Sequence, residues 1–349
     1  MNILFVCSAK SWGGNEKWTT MAMKTLSEQH HIFFFGRKKK LAENFGSGYI
    51  KAFAPMIAYF DLYSFFKAWH FVKRNRIDCI VSTKKKEYFI FGIISRIMKI
   101  RHLIRLGIVR DMNRPLWHNL VYNKLNDGII ANAHRIEKNL RSAPFMMNKP
   151  VFVLYNAIPG LSGLLSIKKE VPDKFTIIST GMLTRRKGFH ILTEAVAALP
   201  DNMKQNIKVV YIGQGREKED LETQISSSVL NQTIKLAGFQ KEPSSFLRKA
   251  SLFVLLSENE GISNALLEAM ACGVPVLTTD SGGSTEFIDS GQNGFIVERN
   301  AETVANKLIE LIQMPNNILK DIGKSGQKTV SGLFAEEVFR KNLFEIFNS

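Results

Sequence analysis

The chain has 349 residues, 45% hydrophobic and 22% charged, with a net charge of +16. That length predicts two domains of about 150–200 residues, and the balance excludes a disordered or collagen-like chain. No run reaches about 18 uninterrupted apolar residues, which argues against a membrane-spanning helix.

Residues 1–9 show no basic leader and no cleavage pattern, so they are expected to form a first strand rather than a signal peptide. NILFVC (2–7) leads into turn-rich residues 8–15, a helical pattern over 16–29 and a second apolar run at 32–35. Strand, glycine-containing loop, helix and strand make a βαβ start. Residues 57–76 read as an amphipathic helix and 78–82 (DCIVS) as the strand after it, followed by strands at 103–106, 128–131 and 151–155. Pro, Gly and Ser cluster over 156–172, as in a linker. The pattern then restarts, with strands at 175–179, 207–212, 234–237, 252–256 and 276–278. Helices at 188–198, 216–227, 243–249 and 264–271 alternate with them. Such alternation predicts parallel sheets covered by helices on both faces. The expected division is an N-terminal domain (1–160), a linker (161–172) and a C-terminal domain (173–330). A last segment, 331–349, carries an amphipathic helix expected to pack back on the N-terminal domain.

Charge is unevenly placed. Residues 1–165 hold 26 Lys/Arg against 9 Asp/Glu, a net +17, whereas residues 166–349 hold 21 against 22, a net −1. The first half should therefore meet something anionic: membrane lipid, a phosphorylated acceptor or nucleic acid. Basic runs at 37–40 and 84–86, and Lys73, Arg74 and Arg76 ending an aromatic helix, suit an anionic membrane interface. Cys7, Cys79 and Cys272 lie in apolar runs without CxxC spacing, which argues against a disulfide framework or zinc site and fits a reducing cytoplasm.

The most informative stretch is 257–288, SENEGISNALLEAMACGVPVLTTDSGGSTEFI. Glu260 falls in the loop after strand 252–256, and Ser263 or Asn264 can cap a helix that stops at Gly273. In open α/β sheets ligands bind outside the carboxyl ends of the strands. A helix N-terminus placed there offers N–H groups and partial positive charge to a diphosphate, and Gly261 lets the backbone approach it. Glu268, about a turn into the helix, can accept from two vicinal hydroxyls. Together these make a phosphate-plus-polyol site; the bland alternative is an ordinary amphipathic helix with a solvated Glu268.

Residues 260–276 resemble the Glu-x7-Glu signature of retaining glycosyltransferases of family 4, approximately E-G-[FI]-x-x-x-x-L-E-A-M-A-x-G-x-P-V. That resemblance implies a GT-B fold, two Rossmann-like α/β domains whose parallel sheets face a central cleft. It implies that Glu260 contacts donor sugar hydroxyls, Glu268 the nucleotide ribose, and the backbone of Gly261, Ile262, Ser263 and Asn264 the sugar and phosphates. GMLTRRKG (181–188) resembles the family's G-R-L-x-x-x-K-G, with Lys187 at the family lysine and Met182 in place of the usual arginine. Arg186, or failing it Arg185, must then supply the second positive charge for a leaving diphosphate. Gly213-Gln214-Gly215 is similar to the family's G-x-G, and Gly282, Gly283 and Glu286 to its G-G-x-x-E. Gly238-Phe239-Gln240 falls where the family brackets the nucleobase, and Gly13-Gly14-Asn15-Glu16 is similar to its first loop, which approaches the donor phosphates.

The N-terminal half is less explicit. Its Gly-Gly is not GxGxxG, which counts against a dinucleotide oxidoreductase. The family's histidine has no convincing counterpart among His102, His118 and His134, and Arg105 and Arg110 lie at the approximate place for contact with donor phosphate or an anionic acceptor. With no D-x-D in the chain, no metal ligand set is expected for the diphosphate and no cofactor besides the nucleotide-sugar donor. The expectation is a retaining, metal-independent transfer from a nucleoside-diphosphate sugar, UDP-sugar favoured, to a glycan or lipid-linked acceptor. That suits a cytoplasmic enzyme, peripheral on the inner face of the plasma membrane, in bacterial surface polysaccharide or lipopolysaccharide synthesis. The rivals are a sugar-nucleotide epimerase or phosphorylase of the same fold, and a non-catalytic protein binding anionic polymers or membranes. A nucleic-acid binder has the charge but no recognised motif.

Overall fold

The computed structural model describes residues 1–9, 12–39, 43–226 and 229–348. The chain divides into two compact units, Met1–Ala157 with Glu337–Ser349, and Ile158–Glu336.

Unit 1 is built on a parallel sheet ordered β3-β2-β1-β4-β5-β6-β7. Its strands are β1 (Asn2–Cys7), β2 (His31–Gly36), β3 (Ile50–Phe53), β4 (Cys79–Ser82), β5 (Arg101–Leu106), β6 (Gly128–Ala131) and β7 (Val151–Val153). Side chains alternate across a strand, so one short apolar run feeds two cores. Ile3, Phe5 and Cys7 of β1 pack with Trp18, Ala22 and Leu26 of α1 (Gly14–Leu26), and with Phe339, Leu343 and Phe347 of the last helix. Leu4 and Val6 face the other way, toward Ala68 and Val72 of α2 (Leu62–Arg74) and Ile90, Phe91 and Ile94 of α3 (Lys85–Met98). The three cysteines are buried, and burial pushes the Cys7 and Cys79 thiols up to about 12.

Unit 2 repeats the principle with a parallel sheet ordered β10-β9-β8-β11-β12-β13. Its strands are β8 (Phe175–Thr180), β9 (Ile207–Ile212), β10 (Ile234–Leu236), β11 (Leu252–Leu255), β12 (Val276–Thr279) and β13 (Phe295–Val297). The helices of this unit include α5 (Phe189–Ala197), α6 (Lys218–Ser226), α7 (Asn264–Ala271), α8 (Ala301–Gln313) and α9 (Asn316–Leu333), the label α4 going to His134–Arg141 of unit 1. The last helix, α10 (Glu336–Asn348), is tied to the unit 1 sheet, the Arg101 guanidinium donating to the carbonyls of Ile346 (2.9 Å) and Phe347 (3.3 Å).

Several elements differ from the sequence reading. The helix expected over 57–76 begins only at Leu62, because the Asp61 carboxylate accepts from Ser64 N (3.0 Å) as a cap and from Ile57 N (3.0 Å) as a loop clasp. The basic run at 84–86 opens α3, whose first turn is held by Glu87 accepting from Lys84 N (2.8 Å) and Thr83 N (2.7 Å). The helix expected over 243–249 shrinks to Ser244–Leu247. Lys40 of the first basic run and Ser227 of the helix expected over 216–227 lie outside the described residues. Strands β3 and β13 were not anticipated; each is a three- or four-residue edge piece too short to show a period.

Candidate functional site

The strand order of unit 2 reverses at β8, which leads to β9 on one side and has β11 on the other. Ligands of open α/β sheets bind at such a switch point, outside the carboxyl ends of the strands. The loops after β8 and β11 meet there. Glu258 N donates to Arg186 O (2.8 Å), and Arg299 clamps both loops by donating to Leu256 O (2.9 Å) and Arg185 O (3.0 Å). Arg299 escaped sequence reasoning because it lies outside the motif it braces, 43 residues on from Leu256.

This meeting sets three of the expected residues on one another. The Lys187 ammonium lies 2.7 Å from Glu260 Oε1 and an Arg186 guanidinium nitrogen 2.6 Å from the same oxygen. Only 14% of the Glu260 side chain and 11% of the Lys187 side chain are exposed, against 44% for Arg186. Burial alone would raise the Glu260 carboxyl, but Lys187 and Arg186 outweigh it and hold the group below its ordinary range.

The neighbouring loops are laced beneath this cluster. Gly181 N donates to Ile212 O (3.0 Å), Gly213 N to Gly238 O (2.9 Å), Glu260 N to Ser281 O (2.8 Å) and Gly283 N to Gly261 O (2.8 Å). Two glycines are required by that proximity. A Cβ on Gly282 would fall 1.7 Å from Glu260 O, and one on Gly213 would fall 1.8 Å from Gly181 O.

Above them α7 starts at the cap residue Ser263, whose side chain makes no capping bond to the first turn. Gly261, Ile262 and Ser263 are buried, as are Leu266, Leu267, Ala269, Met270 and Ala271. Asn264, Ala265 and Glu268 are half-buried, so Glu268 lies one turn below Asn264 on the accessible stripe of the helix. Phe239, after β10, is 65% exposed.

Unit 1 has its own switch point, between β1 and β4, and Gly13 and Gly14 sit at it. Around them sequence reasoning missed Glu87 and the pairing of Glu16 with Lys84. Glu16 is buried and pairs with Lys84 (2.8 Å), and Glu87 is fully buried, accepting also from Ser8 N, with burial pushing its carboxyl up to about 7. Arg105 is buried at the end of β5, donating to Asn15 Oδ1 (2.5 Å) and Asn156 Oδ1 (3.1 Å) with its guanidinium carbon 4.9 Å from the centre of the Trp18 ring. Burial brings its pKa down to about 10. Arg105 thus positions the start of α1. Arg110 is half-buried, and its backbone N–H donates to Asn139 Oδ1 (3.3 Å). His102 is fully buried, with its ring nitrogens 2.7 Å from Leu125 O and 2.9 Å from Ser82 Oγ, which makes it a packing residue. His118 is half-buried, edge-on to Tyr122, and burial lowers its pKa. His134 is exposed and pairs with Glu137 (3.3 Å).

Two parallel-sheet Rossmann-like units in one chain define the class of fold, and solved glycosyltransferase structures share it. Over the full length of both chains the structure is similar to that of Anabaena Alr3699/HepE in complex with UDP (TM-score 0.84, 20% identity). It is also similar to an apo form of the lipopolysaccharide outer core galactosyltransferase WaaB, over 100% of this chain and 99% of that one (TM-score 0.74, 16% identity). The GT-B architecture expected from the sequence is the one observed.

Residues 165–329 match the family model of glycosyl transferases group 1, which places the Glu260 cluster inside the matched region. Among curated relatives, the lipopolysaccharide core biosynthesis glycosyltransferase LpsE of Rhizobium meliloti is 27% identical over 231 residues, 66% of each chain. The N-acetylgalactosamine-N,N'-diacetylbacillosaminyl-diphospho-undecaprenol 4-alpha-N-acetylgalactosaminyltransferase of Campylobacter jejuni is 32% identical over 185 residues, 52% of this chain and 48% of that one. The matched stretch thus spans between about half and two thirds of these relatives.

Proposed function

We propose that this chain is a retaining family 4 glycosyltransferase that moves a sugar from a nucleoside-diphosphate sugar, UDP-sugar favoured, to a glycan or lipid-linked acceptor. The observation that carries the reading is the cluster of Lys187, Arg186 and Glu260 at the β8/β11 switch point, next to the N-terminus of α7. Two cations and a helix tip suit a diphosphate, and the adjoining carboxylate suits sugar hydroxyls. Without donor the three side chains satisfy one another. An arriving diphosphate competes for Lys187 and Arg186, and Glu260 is released to accept from the sugar. Glu268 takes the ribose hydroxyls, and Phe239 and the Gly213 loop flank the nucleotide.

In the transfer, the bond between the anomeric carbon and the diphosphate oxygen breaks, and its electron pair leaves on that oxygen. The acceptor hydroxyl oxygen bonds to the same face of the carbon, and its proton passes to the departing phosphate oxygen. Lys187, Arg186 and the α7 N-terminus hold the charge that grows there, without a metal ion. Arg110 and His118 are assigned to contact with the acceptor. The names of the relatives support a role in bacterial surface polysaccharide or lipopolysaccharide synthesis, and the +17 charge of residues 1–165 supports a cytoplasmic protein held peripherally on the inner face of the plasma membrane.

Thermal shift with UDP-, GDP- and ADP-sugars identifies the donor, since a ligand at 100 times its Kd adds about 2.7 kcal/mol of stability. Glu260→Ala should abolish transfer while the protein still folds, at a lowered Tm, and unchanged turnover would refute the assignment. Nuclear magnetic resonance of the product settles the anomeric outcome.

A further inference from the structure

A face of unit 1 gathers several large apolar side chains that stay exposed, the kind of patch that marks an interaction surface. Phe60 is 77% exposed, Tyr63 63%, Phe66 64% and Leu116 89%. They come from segments some 50 residues apart, which the fold joins through rings. Phe89 at the start of α3 lies 5.2 Å from Phe60, 5.9 Å from Tyr59 and 5.3 Å from Trp117, ring centre to ring centre. α2 buries Ser64, Ala68 and Val72 and leaves its opposite side exposed: Leu62, Tyr63 and Phe66 toward its start, then Lys67, Lys73 and Arg74. No acidic residue occurs between Leu62 and Arg76, and Lys67 lies 5.5 Å from the centre of the Tyr63 ring. The single nearby acid on this segment, Asp61, is engaged in the cap.

We propose that this aromatic and cationic face docks unit 1 on an anionic phospholipid bilayer, with Phe60, Tyr63, Phe66 and Leu116 entering the interface and Lys67, Lys73 and Arg74 meeting the headgroups. Charge decides the occupant. A second copy applied to the same face would set these cations against their own kind, whereas an anionic bilayer offers opposite charge and an apolar boundary together. The segments 54–61 and 107–118 follow β3 and β5, and α3 follows β4, so the aromatic part of the face lies at the carboxyl end of the unit 1 sheet, while α2 carries Lys73 and Arg74 toward its amino end, where Asn2 donates to Asn75 O (3.0 Å). The carboxyl end is the one at which α/β sheets take their ligands, and a lipid-linked acceptor held in the bilayer would be presented to it. The inference deepens the membrane part of the proposed function and is independent of the donor chemistry in unit 2.

The full-length protein is floated with vesicles of phosphatidylglycerol and phosphatidylcholine, and separately with phosphatidylcholine alone. It should rise with the anionic vesicles only and be released by added salt. Phe60→Ser/Tyr63→Ser/Phe66→Ser should weaken binding at least about tenfold, and Lys67→Glu/Lys73→Glu/Arg74→Glu about a hundredfold or more. Both should keep the wild-type Tm and the wild-type thermal shift with UDP, which separates this inference from the reading of the donor site. Three results would overturn it: no binding of the wild type to anionic vesicles, binding of both triple variants as tight as wild type, or a lipid-free dimer that the serine variant disperses.

Discussion

The two cations on Glu260 should differ sharply in energetic weight, although both touch the same oxygen at nearly the same distance. Lys187 Nζ stands 2.7 Å from Glu260 Oε1 with 11% of its side chain exposed, and Arg186 stands 2.6 Å away with 44% exposed. Removing one partner of a buried pair leaves an uncompensated buried charge and costs about 3–5 kcal/mol, whereas an exposed pair contributes about 0–1 kcal/mol. Lys187→Met should therefore destabilise unit 2 by about 3 kcal/mol, and Arg186→Met by less than about 1 kcal/mol. For a unit of this size that is a fall in Tm of roughly 6–12 °C against no more than about 4 °C. The partners of Glu260 hold its carboxyl below the ordinary range, so this stability is present above that range and is lost as pH falls through the lowered value. Urea unfolding of the wild type, the single variants and the doubles with Glu260→Gln measures the coupling at pH 7. A term of about 2 kcal/mol is expected for Lys187 with Glu260 and one near zero for Arg186 with Glu260. Equal losses from the two cations, or strict additivity of Lys187→Met with Glu260→Gln, would show that burial does not rank them.

Gly282→Ala forces a methyl group against Glu260 O, 1.7 Å from the ideal Cβ position, so it should lower both the Tm of unit 2 and the affinity for UDP; calorimetry finding neither would remove the lacing from the site. His102 is held neutral, with burial pushing its pKa down to about 4. Its unfolded form takes up a proton near pH 6.5, so the stability it contributes is full above that pH and falls by about 3 kcal/mol by pH 4; a His102→Gln variant should lose that part of the pH dependence in urea titrations. Phe339→Ala empties a core position that is 2% exposed and should destabilise unit 1 by about 3–5 kcal/mol, read as a lower urea midpoint with unchanged UDP binding.

Much of this protein was legible in its sequence for local reasons. The apolar runs of β1, β9 and β6 could be bounded to the residue or nearly so, because strands covered on both faces read as near-continuous apolar runs, with Lys208 the one exposed residue of β9. α7 was equally plain, with Ser263 before it and Gly273 after it. The same loops named the chemistry-bearing residues, since Glu260, Lys187 and Arg186 all fall just after apolar runs that could only be strands.

Pairing, however, is not local. Nothing near Lys187 in the chain states that its ammonium meets Glu260, 73 residues on; that follows from β8 and β11 lying side by side in the sheet order. Arg105 looked like a ligand residue by position, and only the folded unit shows it held between Asn15 and Asn156 over Trp18. The exposed face of α2 has the same history. Its sequence reads as an amphipathic, aromatic helix with a basic end, but which side of it lacks a neighbour is decided by what packs against it. Sequence sets periodicity and caps, which act over a few residues; strand order and burial act across the whole chain and belong to the tertiary structure.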